Sequence, residues 1–185
     1  MSAGKTEPVR SLSSDEEEFV EEQYTRHGPL VYRRCLMFAS GDRDFAADAT
    51  HDVFMRLMAN ASSLDRGANI AGWLLTVATR LCIDRQRRER GVFARVQAAL
   101  AAEPGRSAPP SPERTVQTRR DWRHLWEALA SLSAEERAAV VMKHLDGRSQ
   151  TEIAHALARS EGQVSKLLKR AAGRLRDRGF EVGDG

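Results

Sequence analysis

The chain has 185 residues, with 29 Lys and Arg against 26 Asp and Glu, and a formal net charge of +3. This length allows one ordinary domain or two small ones. No apolar run approaches the ~20 residues of a membrane-spanning helix, and the polar, acidic N-terminus lacks the apolar core of a signal peptide. We therefore expect a cytoplasmic protein with no direct membrane insertion.

The pattern of cysteines and other reactive residues argues against a metal, cofactor or catalytic site. Cys35 and Cys82 lie within apolar helical patterns, which predicts buried thiols. There is no CxxC motif and no Cys/His cluster at zinc spacing, so we expect no metal site and no cofactor. No Ser/His/Asp or Cys/His constellation is recognisable either. We predict no catalytic residue, and a small helical enzyme is disfavoured.

The charge is unevenly distributed along the chain. Residues 1–25 hold seven acids and two bases, residues 79–95 hold six bases and two acids, and residues 147–180 hold eight bases and three acids. Two separated basic segments in one small chain indicate two contacts with a polyanion. For either segment alone, an ordinary solvated charged face is the alternative.

Helical periodicity predicts three helices in the first half of the chain. The first begins at Asp15 and is interrupted by Gly28-Pro29, so we expect two helices or one helix with a break. The second runs from Asp44 to about Ala61, and the third from Ile70 to about Arg90. A polar loop separates these two.

One side of the third helix combines an aromatic residue with polar and basic residues, namely Trp73, Thr76, Arg80 and Arg87. Single-stranded nucleic acid is bound by this combination, because bases stack on aromatic rings while cations meet the backbone. Core packing is an equally good explanation for Trp73.

A change of composition then divides the chain. Four of the six prolines lie between residues 103 and 112, which predicts an extended, flexible linker. A second helical domain opens near Gln117, and Ser133 with Glu136 forms a capping box for one of its helices. No segment alternates like a strand. We predict an all-α protein of two small domains, with a disordered tail at 1–14, domains at 15–95 and 117–181, and a linker at 96–116.

Residues 149–178 have the spacing of a helix-turn-helix. One helix runs from Gln150 to about Ala158, and a second starts near Glu161 behind a capping box of Ser160 and Gln163. The second helix has an apolar arc and an opposite polar arc; these are Val164, Leu168, Ala171 and Leu175, and Gln163, Lys166, Arg170 and Arg174. Such a helix packs on a domain and lies in a major groove. An ordinary basic surface helix is the alternative.

Three stretches in this order resemble bacterial RNA polymerase sigma factors of the extracytoplasmic-function (ECF) group. Residues 47–57 (ADATHDVFMRL) are similar to the family's Asp-x-x-Gln-Glu-Val-Phe-x-Arg-Leu segment, and residues 71–85 (AGWLLTVATRLCIDR) to its Ala-Trp-Leu…Ala…Asp segment. Residues 129–137 and 152–164 resemble its region four. The resemblance covers nearly everything except the tail and the linker.

The resemblance implies three binding surfaces. It implies contact with the clamp helices of the largest subunits of core RNA polymerase through Asp48, His51, Asp52 and Met55. It implies capture of the −10 promoter element near Trp73, Thr76 and Arg80, with Arg85, Arg87 and Arg88 on the backbone. It implies reading of the −35 element by Gln163, Ser165, Lys166 and Arg170, with Lys169 and Arg174 on phosphates.

Five residues depart from the family pattern, which leaves the promoter sequence open. His51 replaces a Gln, Arg80 an Asn and Leu167 a frequent Arg, and Ala158 and Arg159 replace the usual small and apolar turn residues. The predicted function is a sigma factor that directs core polymerase to promoters. The alternative is a helix-turn-helix regulator that binds DNA without polymerase. An anti-sigma partner that clasps the resting chain over the same faces is an option that the sequence leaves open.

Overall fold

The fold comes from a computed structural model of the chain, which describes residues 12–39, 42–99 and 124–181, with side chains to residue 88 in the second range. Within these ranges there are helices and no strands, which confirms the all-α prediction. The helices are α1 Ser14–Phe38, α2 Arg43–Asn60, α3 Ile70–Ala99, α4 at residues 124–130, α5 Ala134–His144, α6 Gln150–Leu157 and α7 Glu161–Arg176.

The predicted tail and linker fall largely outside the described residues. These begin at Leu12, and the range 100–123 contains most of the predicted linker and the predicted start of the second domain at Gln117. The third helix is longer than predicted, since α3 passes Arg90 and reaches Ala99. The domain boundaries at 95–96 and 116–117 therefore stay predictions.

The first helix is continuous, so the predicted break at Gly28-Pro29 was wrong. A proline inside a helix removes one backbone hydrogen bond and costs about 3 kcal/mol. Gly28 reduces the strain, because it has no Cβ to collide with the proline ring. Phe19 before the proline and Val31 after it are buried in the same core. Packing of both halves of α1 on one core holds the helix together.

The N-terminal core lies where α1, α2 and α3 pack together. Val31, Leu57 and Leu74 are fully buried in it. Cys35 and Cys82 are free and fully buried, which confirms the predicted thiols. The hydrogen bond to the Cys35 thiol, together with burial, raises the pKa of the Cys82 thiol. The two sulfur atoms therefore join α1 to α3 within the core.

Capping boxes set the helix starts of the C-terminal domain. The predicted boxes Ser133–Glu136 and Ser160–Gln163 are both present, and a third joins Ser149 to Glu152. Ala158 ends α6 in the left-handed conformation, with φ of 51°. This conformation is uncommon for a residue other than glycine, and it makes the sharp turn from α6 into α7.

The buried edge of α7 differs in one residue from the predicted arc. Leu167 is 5% exposed and packs with Met142, Ile153 and Val164, whereas Leu168 is only partly buried. The Leu167 departure from the family pattern is therefore a core substitution and leaves the exposed face of α7 unchanged. Among the described helices, none is long and apolar enough to cross a bilayer.

Candidate functional site

The exposed face of α7 carries most of the residues predicted to read duplex DNA. Gln163, Lys166, Lys169 and Arg170 are exposed, and Ser165 is half-buried. The side-chain oxygen of Gln163 accepts a hydrogen bond from the Ser160 backbone N–H at 2.9 Å, so it also serves as the cap of the helix. The two lysines lie one turn apart on this open face, at the spacing at which two helical residues are neighbours.

The C-terminal part of the same stripe is drawn toward α5. The Arg174 guanidinium lies 3.1 Å from a Glu136 carboxylate oxygen and donates to the carbonyl oxygen of Ser131 at 3.1 Å. Arg170 lies 3.8 Å from the other Glu136 oxygen. These two arginines therefore help to hold α7 on its own domain, which the sequence pattern did not indicate.

The predicted single-strand surface on α3 is largely engaged with protein. Trp73 is partly buried and packs against the N-terminal core, so part of its ring has the core role that the sequence left open. Thr76 donates its hydroxyl to the Gly72 carbonyl at 2.8 Å. Arg80 donates to carbonyl oxygens at the end of α6, those of Ala156 at 2.5 Å and His155 at 3.1 Å.

Two of the three arginines that follow in the predicted site on α3 have acidic partners. Arg85 lies 3.2 Å from Asp52 and over the ring of Phe45, at 5.5 Å from its centre. Arg87 forms an ion pair with Glu135 of α5. Arg88 is exposed beside Asp52 and Met55. Asp52, predicted to face polymerase, is thus tied to an arginine predicted to face DNA.

Two of the four residues predicted to bind polymerase line a groove between α1 and α2. Asp48, His51 and Met55 are exposed on α2, and Met55 is 47% exposed. The groove has a volume of about 460 Å³ and is mostly apolar. His51 and Met55 line it. Asp48 lies about one helical turn before His51 and two before Met55.

Sequence reasoning missed the contribution of α1 to this groove. Tyr24 is 56% exposed, and its ring meets that of Phe54 edge-on at 4.8 Å between centres. Met58 and Val20 also line the groove. Tyr24 and Phe54 belong to two separate helices, and only the packing of α1 on α2 brings them into one groove with Met55.

Sequence reasoning also missed a set of contacts between the two domains. Arg34 of α1 pairs with Asp146, which follows α5. Arg137 of α5 donates to carbonyl oxygens at the end of α1, and Arg148 donates to the Gly72 carbonyl of α3 at 3.1 Å. No spacing rule links residues this far apart in the chain, so the sequence held no signal for these contacts.

Comparison with known families assigns the two helical domains. Residues 23–92 match the family model for Sigma-70 region 2, and residues 123–175 match the model for Sigma-70, region 4. The chain belongs to the sigma-70 family, in its ECF group of RNA polymerase sigma factors. Region 2 is used below for α1–α3 and region 4 for α4–α7.

Individual relatives agree with this assignment. The ECF RNA polymerase sigma factor SigE of Mycolicibacterium smegmatis is 32% identical over 160 residues, which are 85% of this chain and 60% of that relative. SigL of Mycobacterium tuberculosis is 29% identical over 171 residues, covering 91% of this chain and 93% of that relative. The chain thus spans nearly all of SigL but only three fifths of SigE.

A solved structure shows the same fold. It is the sigma factor RpoE of Bartonella quintana, determined in complex with the anti-sigma factor NepR. The TM-score is 0.63 at 23% identity, and the match covers 88% of this chain and 96% of that one. This likeness supports the helical architecture of both regions.

Proposed function

We propose that this chain binds core RNA polymerase through the α1–α2 groove and directs it to promoters by two DNA contacts. The observation that carries the proposal is the groove itself. Tyr24 and Met55 are 56% and 47% exposed, and they lie side by side in a surface lined mainly by apolar atoms. Contiguous exposed apolar surface of this kind marks protein-binding sites.

The two DNA contacts divide the work between the regions. Region 4 places α7 in the major groove of the −35 element, where Gln163, Ser165, Lys166 and Arg170 meet base edges. Lys169 and Arg174 meet phosphates. Region 2 binds the unstacked −10 bases near Trp73, Thr76 and Arg80. The DNA backbone then contacts Arg85, Arg87 and Arg88.

The chain contributes binding and positioning to this process. In the proposal it supplies no catalytic group and holds no cofactor, because the polymerase performs RNA synthesis. DNA binding then depends on salt, since each phosphate that a lysine or arginine neutralises releases counterions.

A core-polymerase pull-down followed by run-off transcription tests this function. Asp48→Arg puts a cation on the exposed polymerase face without disturbing an ion pair, unlike a change at Asp52. We expect it to weaken core binding by about tenfold or more, as charge reversal at an interface costs at least about 1–2 kcal/mol. Glu18→Arg, a charge reversal at another exposed acidic residue, on α1 and outside the groove, is the matched control and leaves binding unchanged.

Transcription on genomic DNA with mapped start sites supplies the second readout. Start sites that share −35 and −10 sequences, and that disappear with Asp48→Arg, support the proposal. Absence of core binding would overturn it in favour of a regulator that acts on DNA alone. Core binding equal in Asp48→Arg and wild type would overturn the polymerase face assigned to α2.

An anti-sigma partner is part of the same proposal. The RpoE structure contains such a partner, and in this chain a protein that occupied the Tyr24–Met55 groove would compete directly with polymerase. We expect a partner of this kind to be displaced from wild-type chain by core polymerase in a competition pull-down. Simultaneous binding of both would exclude the groove as the shared site.

A further inference from the structure

An arginine of region 4 is buried in the end of a region 2 helix. Arg137 is 2% exposed, and its guanidinium donates to the carbonyl oxygens of Met37 at 3.1 Å and Phe38 at 2.7 Å. The last carbonyl groups of a helix lack partners within the helix and carry partial negative charge. Arg137 thus supplies the end of α1 with hydrogen bonds that come from the other domain.

A buried ion pair joins the same two domains. Arg34 is 5% exposed and Asp146 is 11% exposed, and the guanidinium meets both carboxylate oxygens, one of them at 3.1 Å. The same guanidinium donates to the Thr79 hydroxyl of α3 at 3.4 Å. Removing one member of a buried pair leaves the other charge dehydrated and is strongly unfavourable. The closed arrangement of the domains therefore depends on both members.

The contact extends over the start of α3. Arg80 of α3 donates to the Ala156 and His155 carbonyls, and Arg148 donates in the opposite direction, to the Gly72 carbonyl. Leu157 at the end of α6 packs against the N-terminal core, as does Trp73. Region 4 thus lies on the part of α3 that contains the predicted −10 residues.

Two other surfaces stay open in this arrangement. Tyr24 and Met55 in the polymerase groove are exposed, and so are Lys166 and Lys169 on α7. The closed chain therefore presents its polymerase groove and its duplex-reading face, while Arg80 and Arg87 of the predicted single-strand surface are bonded to region 4.

We propose that the Arg34–Asp146 pair, with Arg137 and Arg148, is a latch that closes region 4 over the single-strand DNA surface of region 2. In the closed state Arg80 binds the end of α6, and it becomes available to DNA when region 4 moves away. This inference rests on the proposed role of region 2 in DNA binding, and it adds an autoinhibited resting state to that role.

The test uses the full chain with Asp146→Asn, which removes the charge opposite Arg34 and lies outside the three predicted binding surfaces. Energy transfer between dyes on Thr25→Cys and Arg178→Cys, both exposed, reports the distance between the domains. Native cysteines are buried and stay unlabelled. Binding of a fluorescein-labelled, mixed-sequence single-stranded DNA at one fixed low salt concentration reports access to the α3 surface.

We expect Asp146→Asn to lower energy transfer and to tighten single-stranded DNA binding by about tenfold or more. Apparent affinity is the intrinsic affinity multiplied by the open fraction, and loss of one member of a buried pair shifts such an equilibrium by about a hundredfold. Arg148→Ala is the second variant, for use if Asp146→Asn is not folded by circular dichroism, and it changes both readouts in the same direction. Asp15→Asn breaks the exposed Arg66–Asp15 pair within region 2. As the matched control, it changes neither readout by more than about twofold.

Two results overturn the latch. Unchanged energy transfer in both interface variants shows that these contacts do not hold the domains together. Lower energy transfer with unchanged DNA affinity shows that region 4 does not cover the DNA surface. Failure of the sigma function has a separate signature, because wild type then gives no core-dependent transcripts whatever the interface variants do.

Discussion

The two cationic helices of this protein look alike in sequence and differ in the structure. On α3, Arg80, Arg85 and Arg87 bind carbonyl or carboxylate oxygens of other helices. On α7, Lys166 and Lys169 extend from an open face. A stripe of positive charge in the sequence therefore does not show that the cations are free to bind DNA. They are free only where neighbouring helices present no carbonyl or carboxylate oxygens to them.

Leu167→Arg is the largest change that we expect, and it tests the division of α7 into a core edge and an open face. The resemblance places a frequent Arg at this position, but Leu167 is 5% exposed here. We expect the substitution to lower the free energy of unfolding by about 3 kcal/mol, because a buried guanidinium loses its hydration without gaining a partner.

Denaturant unfolding of the full chain measures this effect, with Lys169→Arg on the open face as the control within about 0.5 kcal/mol of wild type. Tighter duplex binding by Leu167→Arg at unchanged stability would mean that position 167 faces DNA, and the contrast between the two edges of α7 would be lost.

Lys169→Ala and Arg87→Ala compare the two helices directly. We expect Lys169→Ala to weaken binding of duplex DNA about fivefold and to reduce the salt dependence by about one counterion, because this exposed lysine neutralises a phosphate in the proposed complex. Arg87→Ala changes duplex binding by less than twofold, since Arg87 is already paired with Glu135.

Fluorescence anisotropy over a range of salt concentrations distinguishes the two variants. Equal losses of duplex affinity in both variants would show that the cations of α3 are as free to bind DNA as those of α7. The contrast between the two helices would then be wrong.

The smallest expected effect is a pH dependence of stability that comes from the start of α6. This helix packs against α7, and its last turn accepts hydrogen bonds from Arg80. Hydrogen bonds from the Ser149 backbone and hydroxyl hold the pKa of Glu152 below its ordinary 4.5. A carboxylate with a lowered pKa stabilises the fold above its unfolded value, and this stability disappears as the pH falls through the folded pKa.

Glu152→Gln keeps the capping geometry but not the charge. We expect the melting temperature of wild type to exceed that of Glu152→Gln at neutral pH, and the difference to shrink below about pH 4.5. A difference that stays constant across this range would show that the charge of Glu152 does not contribute.

Local sequence signals predicted much of the fold. Ser133 and Ser160 were recognised as helix caps because a capping box lies within four residues of chain, and both cysteines were placed in the core by periodicity. The break at Pro29 was wrong for a reason that no local rule contains. The cost of a proline is local, whereas the packing of α1 against two other helices that offsets it is not.

The candidate site shows the same limit. The exposed residues of α2 and α7 follow from the helical period, and the resemblance attaches partners to them. The other half of the polymerase groove, with Tyr24 on α1, depends on how two helices pack. The spacing of charges did not show that Asp52 faces Arg85, because those residues are on different helices.

By itself the sequence determined that the protein is helical, where most helices begin, and that two segments are basic. These properties depend on contacts within one or two helical turns. Only the tertiary structure decided which cations are free, because the partners of Arg34, Arg80 and Arg137 lie in the other region of the chain. A buried guanidinium requires an acceptor wherever the fold supplies one, and in this protein the fold supplies it across the interface between the two regions.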